Sequence, residues 1–186
     1  MIVYFEGICG VGKTTLIEKY PDKRTKKIPQ FINCPGDLIN DTVCMKNDEL
    51  KSQLAFKNRD KIVLVDRGYL STLIYGLVRY QVTSHRERFD YLMEWLFLNL
   101  GSKLIRPDIY VWIDASNEVC MRRVEADNRF LPNSYWYKDV DQARFWYRVL
   151  FNTLEKGIPL YELDGENSLE ANINKLTKII NENTID

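Results

Sequence analysis

Histidine is almost missing from this chain of 186 residues, with His85 the only one. Cysteine is sparse and scattered: Cys9, Cys34, Cys44 and Cys120 form no C-x-x-C pair. A structural zinc site needs more ligands at closer spacing, so the four read as free thiols in a reducing compartment. Net charge is also missing, since 26 Lys and Arg balance 26 Asp and Glu. That removes the electrostatic case for a nucleic-acid or membrane-surface partner. No apolar run approaches the length that spans a bilayer. The opening Met1-Ile2-Val3-Tyr4-Phe5 is too short for a secretory signal and lacks a basic leader. Repeats and low-complexity linkers are absent. These absences lead to the expectation of a soluble, cytoplasmic protein with one domain over residues 1–186.

What is present is an ordinary globular balance, 45% hydrophobic and 28% charged, with aromatics on the rich side at 12%. Strand-like and helix-like runs alternate. Ile2–Phe5 and Ile62–Val65 read as buried strands, as does Ile109–Ile113. Ile158–Leu163 reads as a further strand and Ile28–Asn33 as a weaker one, interrupted by Pro29. Helical spacing covers Lys13–Tyr20, Asp48–Arg59, Leu70–Gln81, Glu87–Leu100 and Asp141–Lys156. Ser116 and Ser168 are placed to cap helices over Asn117–Ala126 and up to about Asn181. Asn128–Val140 has no apolar period and holds Pro132, Asn133 and Ser134, so it reads as a loop. The alternation predicts an α/β fold: a five-stranded parallel sheet between two layers of helices, with right-handed crossovers.

The sharpest signal is Gly7-Ile8-Cys9-Gly10-Val11-Gly12-Lys13-Thr14, which fits G-x-x-x-x-G-K-[ST] between a buried strand and a helix. Chemistry demands this pattern. Successive backbone N–H groups must curl around phosphate oxygens, and glycine permits the turn and the close approach. The helix that starts at Lys13 aims its positive end at the same anion. Gly7, Gly10, Val11, Gly12, Lys13, Thr14 and Thr15 are therefore the candidate ATP-binding residues. Lys13 reaches the β- and γ-phosphates and Thr14 ligates Mg²⁺.

A second element is Ile62-Val63-Leu64-Val65-Asp66-Arg67. A carboxylate at the C-terminal end of a buried parallel strand suits Mg²⁺ or its waters, and ligands gather at that edge of such sheets. A plain turn aspartate is the alternative. Arg67 follows where a fork of donors can grip an acceptor phosphate. A third element is Arg122, Arg123 and Arg129, beside or within a lid over about 127–141. Arginines on a closing lid neutralise a transferring phosphoryl group and exclude water. Arg122 reads better as part of a solvated helix face; Arg123 and Arg129 join Lys13, Asp66 and Arg67 as catalytic candidates.

At these residues the sequence resembles the thymidylate kinase and deoxynucleoside kinase branch of the P-loop kinases. Phe5-Glu6-Gly7 leading into Gly12-Lys13-Thr14-Thr15 resembles that branch's opening strand and loop. Asp66-Arg67-Gly68-Tyr69-Leu70-Ser71-Thr72-Leu73-Ile74-Tyr75 resembles its D-R-Y-x-x-S-S-x-A-Y segment. Arg106-Pro107-Asp108, the run from Arg123 to Arg129-Phe130, and Leu163-Asp164-Gly165 follow in the family's order. The likeness covers the first twenty residues and most of the chain from Lys61 onward. It implies a three-layer P-loop kinase fold, ATP and Mg²⁺ as cofactors, a nucleoside or nucleotide as small-molecule acceptor, and a homodimer, for which the apolar stretch Tyr91–Leu98 is a candidate interface, reading equally as a core helix.

Two departures bear on the acceptor. Cys9 stands where thymidylate kinases carry Asp, and Asn33-Cys34-Pro35-Gly36 stands where they carry R-E-P-G. Deoxynucleoside kinases also use a Glu near Cys34 as base for the sugar hydroxyl. A phosphate acceptor is already anionic and needs little help from a base, whereas a hydroxyl needs one within reach. This favours a nucleoside monophosphate acceptor, with a deoxynucleoside or other hydroxyl as the alternative and Asp37 or Asp66 as its base. Phe31, Tyr69 and Tyr75 are candidates for stacking on the acceptor base, with core packing as the plain reading. A P-loop NTPase switch, a non-catalytic nucleotide-binding module and a polynucleotide 5′-kinase stay open.

Overall fold

The structure is a computed structural model, and residues 1–32, 40–83, 86–127 and 139–184 are described. Five parallel strands form its centre: β1 (Ile2–Glu6), β2 (Thr25–Ile28), β3 (Ile62–Asp66), β4 (Ile109–Asp114) and β5 (Leu160–Asp164), in the order β2-β3-β1-β4-β5. All five residues of β1 and of β3 are buried. A parallel strand is covered on both faces, so its sequence is a continuous apolar run rather than an alternation. Those two strands, with β4, are the ones legible from composition.

Seven described helices flank the sheet: α1 (Lys13–Lys19), α2 (Asp41–Lys57), α3 (Tyr69–Thr83), α4 (Arg86–Asn99), α5 (Asn117–Ala126), α6 (Val140–Asn152) and α7 (Leu169–Asn183). On one side α3 packs against α2, α4 and α6; α1 and α7 pack together elsewhere. Ser116 and Ser168 cap α5 and α7 as expected, accepting from the Val119 and Ala171 amides.

Two elements differ from the sequence reading, each for a physical reason. β2 ends at Ile28 instead of starting there, because Pro29 has no N–H for the ladder. Its residues Thr25, Lys26 and Lys27 are half-buried or exposed on an edge strand, so no apolar run marked it. Helix α2 begins at Asp41, two turns before the expected Asp48, where the Asn40 side chain caps it by accepting from the Val43 amide. Its buried side holds Asn47, Asp48, Lys51 and Ser52, so an apolar stripe could not outline it. The other boundaries move by a few residues: β5 starts at Leu160, just after Pro159, and α6 stops at Asn152. The expected loop Asn128–Val140 lies almost wholly outside the described residues, apart from Asp139 and from Val140, which opens α6.

Part of the aromatic content forms a buried tyrosine cluster. Tyr4, Tyr69, Tyr110 and Tyr147 are all fully buried. Tyr4 meets Tyr69 and Tyr110 edge-on at 6.2 and 6.1 Å, and Trp112 lies 4.5 Å from Tyr147. Their hydroxyls are paired, Tyr110 with Tyr69 at 3.2 Å and Tyr4 with Ser52 at 3.3 Å. Tyr69 is therefore core, and the expectation that it stacks on an acceptor base does not hold. Asp108 accepts the Ile2 amide at 2.6 Å and Arg106 pairs with buried Glu155 at 3.5 Å, so the Arg-Pro-Asp segment ties β4 into the fold.

Among the described residues no helix is long and apolar enough to cross a membrane. The tightness of the sheet core is measurable. Leu64→Ala, at a fully buried position in β3, is expected to lower stability by about 3 kcal/mol in urea unfolding, with the slope unchanged.

Candidate active site

The chain leaves β1 at Glu6 and turns at once, because Gly7 adopts φ 144°. A Cβ here would collide with the Ile113 carbonyl of β4. Only glycine lets the loop pass that close to the neighbouring strand. Gly12 takes φ 97° as the residue before α1, which lets the loop close onto the helix start. Gly7 through Thr14 thus form a tight loop at the C-terminal edge of the sheet, between β1 and α1.

Lys13 lies over this loop, 5% exposed, and its ammonium donates to the Gly7 and Ile8 carbonyls at 2.8 and 2.6 Å. Burial pushes its amine down to about 7, and the Arg67 guanidinium adds to the effect. Thr14 donates its hydroxyl to Asp66 Oδ2 at 2.5 Å. The register β1–β3, Phe5 opposite Asp66, brings that carboxylate beside the loop.

Arg67 is the non-glycine residue at positive φ, 62°, among the described residues. Its Nη1 donates to the Gly7 carbonyl at 2.7 Å and to Ser71 Oγ at 3.2 Å, and its Nη2 lies 3.5 Å from Cys9 Sγ. Its own carbonyl accepts from Lys51 Nζ at 2.9 Å. Beneath it sits Glu6, fully buried, accepting from the Gly68 amide at 2.8 Å, from Ser71 at 2.5 Å and from Tyr147 at 3.1 Å. Burial pushes the Glu6 carboxyl up from its ordinary value.

Arg123 takes a different post from the one expected of a lid arginine. Its two terminal nitrogens donate to the Gly10 carbonyl at 3.2 Å and the Gly165 carbonyl at 2.9 Å, tying the phosphate loop to the turn after β5. Arg122 is exposed. Arg129, Phe130, Asn33, Cys34, Pro35, Gly36 and Asp37 lie outside the described residues, as do His85 and the lid over 128–138.

A cleft of about 590 Å³ opens over the loop. Gly10, Val11, Gly12, Lys13, Thr14, Thr15, Arg67 and Arg123 all line it, together with Gln30, Phe31 and the start of α7. A larger groove of about 730 Å³ runs beside β5, lined by Arg148, Phe151 and Leu160 among others, and contains no phosphate-loop residue. The chemistry-bearing side chains single out the smaller space. Among the described residues no group of three or more His, Cys, Asp and Glu gathers to hold a metal. One orphan oxygen is nevertheless telling. Asp66 Oδ1 is buried and has no hydrogen-bond partner, which is costly for a carboxylate. A hard cation that keeps several waters and takes phosphate oxygens needs only such a carboxylate and a hydroxyl, so Asp66 and Thr14 fit Mg²⁺.

Sequence reasoning assigned no role to Glu6, Lys51, Ser71 or Tyr147. Glu6 carried a usable signal, a charge ending an otherwise apolar buried strand. Ser71 lay within the segment that carries the family resemblance, while Lys51 and Tyr147, on two other helices, had no signal.

A parallel sheet in this order, with a glycine-rich loop leaving the central strand and an aspartate ending its neighbour, is the fold of the P-loop nucleoside and nucleotide kinases. Solved structures that share it include a thymidylate kinase from Candida albicans, with a TM-score of 0.71 at 15% identity over 100% of this chain and 95% of that one. A deoxyadenosine kinase from M. mycoides with bound dATP gives 0.74 at 14% identity, over 97% of this chain and 100% of that one. The same kinase with dCMP and dCDP bound gives 0.67 at 15% identity, over 99% and 100%. No protein-family model matches the sequence.

The depressed Lys13 amine has a consequence for binding. An anion beside the ammonium restores its affinity for a proton, so triphosphate binding above pH 7 takes a proton up. Calorimetry at pH 8 in two buffers of different ionisation heat is expected to show this uptake with ATP. It should disappear in Lys13→Met, and affinity should fall as pH rises above about 7.

Proposed function

We propose that this protein transfers the γ-phosphoryl group of ATP to a nucleoside monophosphate. The single observation that carries the reading is the convergence on one cleft of a glycine loop with its lysine, a threonine–aspartate pair and a left-handed arginine. Loop amides and Lys13 bind the triphosphate. Thr14 and Asp66 would hold Mg²⁺, which when bound would neutralise charge on the triphosphate. Arg67 orients the acceptor. Arg123 keeps the phosphate loop seated against the β5 turn, and Arg129 is assigned the closing role over the transferred group. An acceptor phosphate oxygen attacks the γ-phosphorus in line, the bond to the β-phosphate oxygen breaks, and ADP leaves with the nucleoside diphosphate.

Glu6 and Asp66, beside the loop, support an anionic acceptor. Glu6 is committed to three donors, and Asp66 has one oxygen on Thr14 and is assigned the other to Mg²⁺, so neither is given the task of taking a proton from a hydroxyl. A deoxynucleoside acceptor is the second reading, favoured by the 0.74 likeness to a deoxyadenosine kinase and by Cys9, which resembles the apolar residue of that branch. The neutral charge and the free thiols of Cys9 and Cys120 support a cytoplasmic enzyme without nucleic-acid partners.

A coupled ADP-release assay over nucleosides and nucleoside monophosphates, with ATP and Mg²⁺, tests the reading. One clear monophosphate preference is expected. Lys13→Ala should lower transfer by about a thousandfold or more while circular dichroism stays unchanged. ATP turnover indifferent to every acceptor would instead favour an NTPase switch, and tight nucleotide binding without turnover a binding module.

The homodimer is proposed through α4, whose Tyr91, Phe97 and Leu98 are 51, 64 and 72% exposed. Exposed large apolar groups clustered on one helix favour self-association. Light scattering on a sizing column is expected to give twice the 22.0 kDa chain mass, and Leu98→Glu to give the monomer.

A further inference from the structure

We propose that Lys51, held by Asp48, is a positioning residue that sets the backbone of Arg67 and so aims its guanidinium into the cleft. The inference rests on the phosphoryl-transfer reading above and adds to it a residue on α2 that does not itself line the cleft and reaches it only through the Arg67 backbone.

Lys51 and Asp48 form an ion pair at 2.8 Å with each side chain only 3% exposed. A buried pair is a poor stabiliser compared with apolar groups of the same volume, so stability alone gives little reason for it. Its contacts suggest another use. The Lys51 ammonium also donates to the Arg67 carbonyl at 2.9 Å, and the second Asp48 oxygen accepts from the Thr72 hydroxyl of α3 at 2.6 Å. The pair therefore bridges α2, the turn after β3 and the first turn of α3.

What it bridges is strained. Arg67 holds φ 62° while the next residue is Gly68, which would adopt that region at no cost. The strain persists because both sides of the residue are tied: its N–H donates to the Phe5 carbonyl at 3.0 Å and its C=O accepts from Lys51. Relaxing Arg67 to an ordinary φ would swing the carbonyl away from the ammonium. The same rotation would carry the guanidinium off the Gly7 carbonyl, Ser71 and Cys9, out of the geometry that faces an acceptor. The cation on α2 thus fixes the direction of the cation in the site.

The test compares Lys51→Met, Lys51→Arg and the charge-free Asp48→Asn/Lys51→Met chain, the last because it leaves no buried carboxylate unpaired if the single variant fails to fold. With Met at 51, kcat/KM for the acceptor should fall about tenfold or more while ATP affinity stays within about threefold, and Lys51→Arg should recover most of the loss. In an Arg67→Ala background the Lys51→Met change should cost less than about twofold, since there is no guanidinium left to aim. The idea is overturned if acceptor kcat/KM is unchanged, if acceptor and ATP parameters fall together, or if the loss is as large without the Arg67 side chain. Absence of transfer by the unaltered chain would overturn the parent reading as well; transfer by that chain with any of the preceding results overturns this inference alone.

Discussion

Glu6, Lys13, Asp66 and Arg67 are all buried at the C-terminal edge of the sheet, where β1 and β3 end and α1 begins, two groups of each sign removed from water together. Desolvating four ions is tolerable only if each finds close partners; Lys13 finds its partners within its own loop, while Glu6, Asp66 and Arg67 take theirs from distant parts of the chain. Glu6 needs the Gly68 amide, Ser71 and Tyr147; Arg67 needs the Gly7 carbonyl; Lys13 needs the carbonyls of Gly7 and Ile8. The phosphate loop, the start of α3 and the face of α6 must therefore assemble together. The Gly7 carbonyl serves as hub, accepting from both cations at once.

This arrangement keeps positive charge close to its place of use. Lys13 rests on two backbone carbonyls and Arg67 donates to one, and carbonyls are weaker partners than the phosphate oxygens that can replace them. The two cations' mutual repulsion contributes to the low proton affinity of Lys13. Both effects favour arrival of an anion. Asp66, with one oxygen on Thr14 and the other without a hydrogen bond, balances the same space and offers the hard donor that Mg²⁺ prefers.

How much was legible depends on what each residue buries. β1, β3 and β4 were readable because their sequences are apolar throughout, and α5 and α7 because Ser116 and Ser168 announce their caps. β2 was misplaced because an edge strand of Thr and Lys buries little. Helix α2 was cut short because Asn47, Asp48, Lys51 and Ser52 face inward and make polar ties to other segments, a pattern that mimics a solvated face. Tyr69 invited a ligand-stacking reading, yet the tertiary fold turns it into the core beside Tyr4 and Tyr110.

The sequence by itself determined the phosphate loop, since glycine at 7 and 12 and the lysine at 13 are local requirements of a curled backbone facing an anion. It also marked Asp66 as a carboxylate ending an apolar strand, but the placing of that strand beside β1, with Phe5 opposite Asp66, came from the topology. Only the tertiary structure decided where the arginines point. Arg123 and Arg67 look alike along the chain, but one is tied down by Gly10 and Gly165 and the other by Gly7 and Lys51. A side chain's direction depends on partners distant in sequence, and no local pattern encodes them.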